Sequence, residues 1–133
     1  MIKKIDHLGI AVRSIEEAVK LYTDVFGLKV KEIDVVADQK VRTAVIPVGE
    51  TNIELLEPIG SDGPVARFLE RQGEGMHHLS LGVDNIQDSL RTMVEKEIPL
   101  IDEKPRNGGG GSKIAFLHPK GTKVLIELVE LGE

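Results

Sequence analysis

Two kinds of hydrophobic spacing alternate along the chain. The first segment alternates residue by residue: Asp6, Leu8, Ile10 and Val12 fall on one side, and His7, Gly9 and Ala11 on the other, which is the period of a β-strand. A helical stripe follows, with Ile15, Ala18, Val19, Tyr22, Val25 and Phe26 on one face. Ser14 and Glu17 make a capping box at its start and Gly27 suits its end. Three β-rich runs come next, near 29–36, 41–48 and 51–57. A second strand and helix then recur, the helix carrying Ile86, Leu90, Met93 and Val94 behind a start at Asp84 and Gln87. The second set of β-rich runs lies near 98–102, 113–118 and 123–130. The order β-α-β-β-β, met twice, predicts an α+β fold of two tandem βαβββ modules. Module 1 covers about 1–58 and module 2 about 76–131, joined by a linker, 59–75, that contains a short helix opening at Pro64 and closing near Gly73. At 133 residues the whole chain, 1–133, is the size of one domain.

The halves are also related in sequence. IDHLGIAVRSIEEAVKLY is echoed by MHHLSLGVDNIQDSLRTM, aligning His7 with His78, and NIELLEP is echoed by LIELVEL, aligning Glu54 with Glu127. Parity assigns these four residues a common side. In the first module Leu8, Ile10 and Val12 belong to the helix side, as do Ile53 and Leu55, leaving His7 and Glu54 on the opposite face. In the second, Leu79, Leu81, Val83, Val124, Ile126 and Leu128 take the helix side, leaving His78 and Glu127 opposite, so that parity selects His78 over His77. Ionisable groups on an inward sheet face are costly unless they meet one another or a cation. Two imidazoles and two carboxylates from repeated modules would supply a 2-His-2-carboxylate site for a divalent ion; the plainer alternative is four hydrogen-bonded structural residues.

Charge and composition narrow the partners. The net charge of −5 argues against general affinity for nucleic acid or an anionic membrane. No apolar run approaches the ~20 residues of a membrane span, and the N-terminal MIKKIDHLGIAV lacks a signal-peptide pattern, so a cytoplasmic protein is expected. The absence of cysteine excludes disulfides, thiolate metal sites and a cysteine nucleophile. From Lys104 to Lys123, however, there are five basic residues and no acid. Within this stretch NGGGGSK lacks the Gly-Lys-Ser/Thr order of a P-loop and precedes strand-like IAFLHP, so it reads as a turn between strands, with Lys113 and Lys120 as candidate phosphate attractors.

The repeated βαβββ plan, with a His in the first strand and a Glu in the last strand of each module, resembles the vicinal oxygen chelate superfamily (glyoxalase-like fold). Within it, IDHLGIAV, DQKVRTAVIPVG, NIELLEP, GEGMHHLSLGVDNI and FLHPKGTKVLIELVE are most similar to the methylmalonyl-CoA epimerases. The resemblance implies metal ligation by His7, Glu54, His78 and Glu127, the ion being Co²⁺, with Mn²⁺, Ni²⁺ or Zn²⁺ sharing the donor preference. It implies a catalytic acid-base role for Glu127, a coenzyme A thioester as substrate, and a homodimer. The implied reaction exchanges the C2 proton of (2R)- and (2S)-methylmalonyl-CoA through an enolate. Some relatives place a second acid-base glutamate where this chain has Thr43, a poor proton acceptor, and that role is left unassigned. The alternatives are a glyoxalase I-like enzyme acting on a glutathione hemithioacetal and a metal-free small-molecule-binding protein of the same fold.

Overall fold

The computed structural model describes residues 1–132. Among them the chain forms β1 (Ile2–Ala11), α1 (Ile15–Lys20), β2 (Glu32–Val36), β3 (Val41–Val48), β4 (Thr51–Pro58), α2 (Pro64–Gln72), β5 (Gly75–Val83), α3 (Ile86–Glu95), β6 (Arg106–Asn107), β7 (Lys113–Leu117), α4 (Pro119–Thr122) and β8 (Ile126–Glu130). The βαβββ order thus occurs twice, with α2 between the repeats. No described helix is long and apolar enough to cross a membrane. Two compact units result, one made of His7–His77 and the other of Met1–Asp6 with the chain from His78 onward.

In the unit His7–His77 the strands run in the order β2-β3-β4-β1, with β1 parallel to β4 and the other pairs antiparallel. α1 covers one sheet face, where Val12, Ile15, Ala44, Ile46 and Leu55 form a buried cluster joined by Ile10 and Ile53. The apolar alternation therefore points where the sequence places it. On the other face Ala11, Val41 and Leu56 pack with Val65 and Leu69 of α2, and the helix between the repeats contributes to this core. α1 begins at Ser14, whose Oγ accepts from the Glu17 N–H at 3.2 Å. A distant carboxylate adds to this cap: Ile15 N–H donates to Glu57 Oε1 at 2.9 Å. Arg42 lies 3.3 Å from the other Glu57 oxygen and also binds Glu16, whose carboxyl is held below its ordinary range by that side-chain hydrogen bond. Past Lys20 the winding loosens into a π-type turn, Leu21–Val25, and the chain leaves it at Gly27 with φ +73°, a conformation that glycine adopts without a Cβ penalty.

The second unit carries the order β1-β5-β8-β7-β6, with β5 parallel to β8 and β8, β7 and β6 successively antiparallel. Its α3-side core consists of Val83, Ile86, Leu90, Ala115, Leu117 and Leu128. Burying each of its valine, isoleucine and leucine side chains is worth about 1.5–3 kcal/mol. A slip of one residue along β5 or β8 would turn that set away from α3, so the apolar pattern also holds the opposite face in register.

Two local expectations need correction. The α3 cap is Asn85, one residue beyond Asp84, and Asn85 Oδ1 accepts from Asp88 N–H at 3.0 Å. Asp84 instead accepts from the Asn85 N–H at 2.9 Å and lies 3.7 Å from Lys3 Nζ. The run 98–102 is not a strand. Pro99 has no N–H to donate, and the segment contributes only a bridge between Leu100 and Leu117, with Ile101 and Asp102 both donating to the Phe116 carbonyl. The strand next to β7 is the two-residue β6, joined to it through a tight turn at Gly109–Gly111, so NGGGGSK does connect strands.

Candidate functional site

Parallel pairing of β1 with β4 sets His7, Gly9 and Ala11 beside Asn52, Glu54 and Leu56. Paired residues share a face, so the strand register brings an imidazole and a carboxylate to one side. His7 Nδ1 lies 3.2 Å from Glu54 Oε2, with side chains 9% and 20% exposed. The second unit repeats the device. β5 and β8 pair Ser80 with Glu127, on the face that also carries His78, and His78 Nε2 lies 3.7 Å from Glu127 Oε1 with both side chains 5% exposed. The structure therefore joins the four sequence-derived residues into two like pairs, one per unit.

The neighbours of the second pair were not legible as site residues. Phe116, opposite Glu127 across β7 and β8, meets the His78 ring edge to face with centroids 5.9 Å apart. Such aromatic contacts are worth about 0.5–1.5 kcal/mol beyond burial and hold the imidazole plane. Ser80 is fully buried, and its Oγ has no hydrogen-bond partner among the described residues. A buried hydroxyl left unsatisfied costs about 1–3 kcal/mol, so this position is one that an added polar group would relieve. Its sequence signal was parity alone, two residues after His78.

Thr43 is buried on the Glu54 face, opposite Leu56 of β4 and Asp34 of β2. Asp34 and Glu32 are the β2 carboxylates on its side of that strand pair. Of the two candidate substrate lysines, Lys113 begins β7 and lines a cleft beside α3. Lys120 lies in the first turn of α4, its N–H donating to His118 Nδ1 at 3.0 Å, and it does not line that cleft.

Carboxylates and imidazoles this deeply buried carry a desolvation penalty of several kcal/mol per charge, which a cation offsets. Imidazole nitrogen and carboxylate oxygen are donors for borderline and hard divalent ions. The donor chemistry, the burial and the unsatisfied Ser80 hydroxyl all fit a metal centre. A carboxylate on the same face is also a group that can take up and return a proton.

Known proteins resemble this chain along most of its length. The chain is 41% identical over 128 residues to an uncharacterised protein of Bacillus subtilis, covering 96% of this chain and 91% of that protein. It is 37% identical over 131 residues to the mitochondrial methylmalonyl-CoA epimerase of Dictyostelium discoideum, covering 97% of this chain and 79% of the relative. A Streptomyces coelicolor methylmalonyl-CoA epimerase variant, solved in complex with 2-nitronate-propionyl-CoA, superposes with a TM-score of 0.94 at 34% identity, covering 98% of this chain and 95% of that one. A family model matches residues 6–116, from the strand that carries His7 to the strand that carries Phe116. With a match of that extent, the chain belongs to the glyoxalase/bleomycin resistance protein/dioxygenase superfamily.

Proposed function

We propose that this protein is a metal-dependent methylmalonyl-CoA epimerase, which interconverts the (2R) and (2S) thioesters by removing the C2 proton and returning one to the opposite face. The observation that carries this reading is the repeated His–Glu pair, buried in one unit and half-buried at Glu54 in the other, in a chain similar along almost its whole length to such epimerases. One pair offers two protein donors; His7, Glu54, His78 and Glu127 together would offer four to a divalent ion. When bound, a divalent ion supplies Lewis-acid stabilisation of the negative charge that develops as the C2 proton leaves. Co²⁺ is the ion proposed, with Mn²⁺, Ni²⁺ and Zn²⁺ compatible with the same donors.

The chain's own residues supply the rest. Glu127 takes the proton on one face: the C2–H bond breaks, its electron pair delocalises toward the thioester carbonyl, and the carboxylate becomes a carboxylic acid, while inversion requires that a second donor, left unassigned here, deliver a proton to the opposite face of C2. Its burial beside Phe116 limits exchange of that proton with solvent. Phe116 and the strand register hold His78, and Glu54 holds His7. Thr43 is not given the opposite-face role, because a threonine hydroxyl is too weak a base at neutral pH. We further propose a cytoplasmic homodimer, in keeping with the resemblance described above.

Incubation of the metal-loaded protein with (2S)-methylmalonyl-CoA, followed by chiral analysis of the thioester, tests the reading. Formation of the (2R) epimer to equilibrium supports it. Retention of the starting configuration, with turnover of methylglyoxal and glutathione instead, would assign the glyoxalase I chemistry.

A further inference from the structure

Between Pro99 and Pro105 the chain lies beside β7 without forming a strand. Neither proline has an N–H to give to a ladder, and the bonds that replace the ladder converge on Phe116. The Ile101 and Asp102 N–H groups donate to the Phe116 carbonyl at 3.0 and 3.1 Å, and the Phe116 N–H donates to Asp102 Oδ2 at 2.8 Å. The same carboxylate oxygen lies 3.3 Å from Arg106 Nε. The guanidinium carbon of Arg106 stands 5.2 Å from the centre of the Phe116 ring, within cation–π distance. Backbone and ring of Phe116 are thus both held by the segment 101–106.

Register puts this assembly on the face of the candidate site. Arg106 pairs with Ile114 across β6 and β7, and Phe116, two residues on, pairs with Glu127 across β7 and β8. Paired residues, and residues two apart, share a face, and Ile114, Phe116 and Val129 form a buried cluster there. The Phe116 ring meets the His78 ring with centroids 5.9 Å apart and planes at 87°, so it carries Arg106 on one contact and His78 on another. The imidazole has use for such a support. Its Nε2 lies 3.7 Å from Glu127 Oε1, longer than a hydrogen bond, so that contact does not set the ring plane. The last torsion of a histidine is broad, and a turn about Cβ–Cγ carries the nitrogen lone pair, which lies in the ring plane, away from a metal.

We infer that Arg106 is a positioning residue for the metal-type pair of its own unit: anchored by Asp102, it fixes the Phe116 ring, and Phe116 in turn fixes the plane of the His78 imidazole in the orientation that ligation needs. That His78 ligates a metal is the reading proposed above; that its ring is fixed stands on the contacts of this unit alone. Charge by itself predicts the opposite behaviour. A guanidinium on the face of a cation site repels the ion, so its removal would tighten binding. Removal of a residue that orients a ligating histidine loosens it, by about 10–100-fold for such outer partners. The sign of the change therefore separates the two roles.

Titration with Co²⁺, followed by visible absorption, tests this on the wild type, Arg106→Ala and Arg91→Ala. Arg91 is another cation of the unit, paired with Asp88 on α3 at 3.0 Å, and its variant controls for the loss of one positive charge. Arg106→Ala should weaken Co²⁺ binding about tenfold or more, while Arg91→Ala stays within about twofold of the wild type, its charge being exposed and screened. Equal or tighter binding by Arg106→Ala overturns the assignment, as does equal weakening by both variants. Phe116→Leu tests the path: Arg106→Ala added to it should cost no further affinity, because the ring through which Arg106 acts is gone, and full additivity overturns the assignment. The metal-free protein gives an independent readout. In NMR spectra of histidine-labelled protein, Arg106→Ala should move the His78 ring signals toward those of an unstructured histidine and leave those of the exposed His118 in place; unmoved His78 signals overturn the assignment. A folded wild type that binds no Co²⁺ removes the metal reading, and the His78 ring signals then decide the role of Arg106 by themselves.

Discussion

Ser80 offers a test in which the structure sets both sign and size. Its side chain is fully buried on the face of His78 and Glu127, and its hydroxyl has no hydrogen-bond partner among the described residues. Ser80→Ala removes one oxygen without opening a cavity large enough to matter, and with it the desolvation cost of about 1–3 kcal/mol for an unsatisfied hydroxyl. With unfolding entropy of about 2.1 cal/mol/K per residue, a chain of this length gains roughly 0.28 kcal/mol/K, so that stabilisation corresponds to a Tm increase of about 4–11 °C. Thermal unfolding by circular dichroism in the presence of a chelator measures it. In metal-loaded protein, where the ion and its ligands would bring polar atoms to this face, the increase should shrink. A Tm in chelator that stays the same or drops on substitution would show that the hydroxyl is already satisfied, and would refute the use of Ser80 as a sign of a site awaiting a polar ligand.

Other outcomes follow from the same geometry. Glu127→Gln keeps the shape of the pair but removes its basicity, and should lower the epimerisation rate by about 10²–10⁴ in a chiral turnover assay; a rate within a few-fold of wild type would remove Glu127 from the proton path. His7→Ala combined with His78→Ala deletes the imidazole of each pair, so elemental analysis after dialysis should find the divalent metal content of the wild type reduced to a small residue, and equal contents would place the ion elsewhere. Glu130→Ala removes the carboxylate that accepts from the Ile86 N–H at 3.2 Å at the start of α3; loss of this cap should cost about 1 kcal/mol, or roughly 4 °C in Tm, with an unchanged melting curve contradicting the capping role.

The sequence made the architecture readable wherever one face of an element was apolar and the other was not. Alternation along β1 and β5 separates Leu8 and Ile10 from His7, and Leu79 and Leu81 from His78, because α1 and α3 take the apolar side and leave the imidazoles on the other. The duplication then located Glu54 and Glu127. Where two residues offer the same local chemistry, the pattern does not choose between them: Asp84 and Asn85 are both good caps, and a distant ion pair with Lys3 occupies the first. β6 was hidden because two residues carry no period, and the run at 98–102 looked like a strand until the missing Pro99 N–H is counted. Glu57 and Glu130 hold the first N–H of α1 and α3 in both units. Their signal is a second glutamate three residues after Glu54 and Glu127, a spacing whose parity puts both on the helix side, and the fold adds that each reaches a helix N-terminus. The basic run from Lys104 to Lys123 was visible as charge, whereas its division between a cleft at Lys113 and a separate helix at Lys120 depends on packing that no local pattern encodes.

The central claim is that this chain abstracts and returns the C2 proton of a methylmalonyl thioester with the help of a divalent ion. Proton NMR and mass spectrometry of methylmalonyl-CoA incubated with the protein in deuterated water read that step directly. The account predicts one deuterium at C2, incorporated with Co²⁺-loaded protein, suppressed by chelator and restored by adding the ion back. Metal-loaded, folded protein that leaves C2 fully protonated would contradict it.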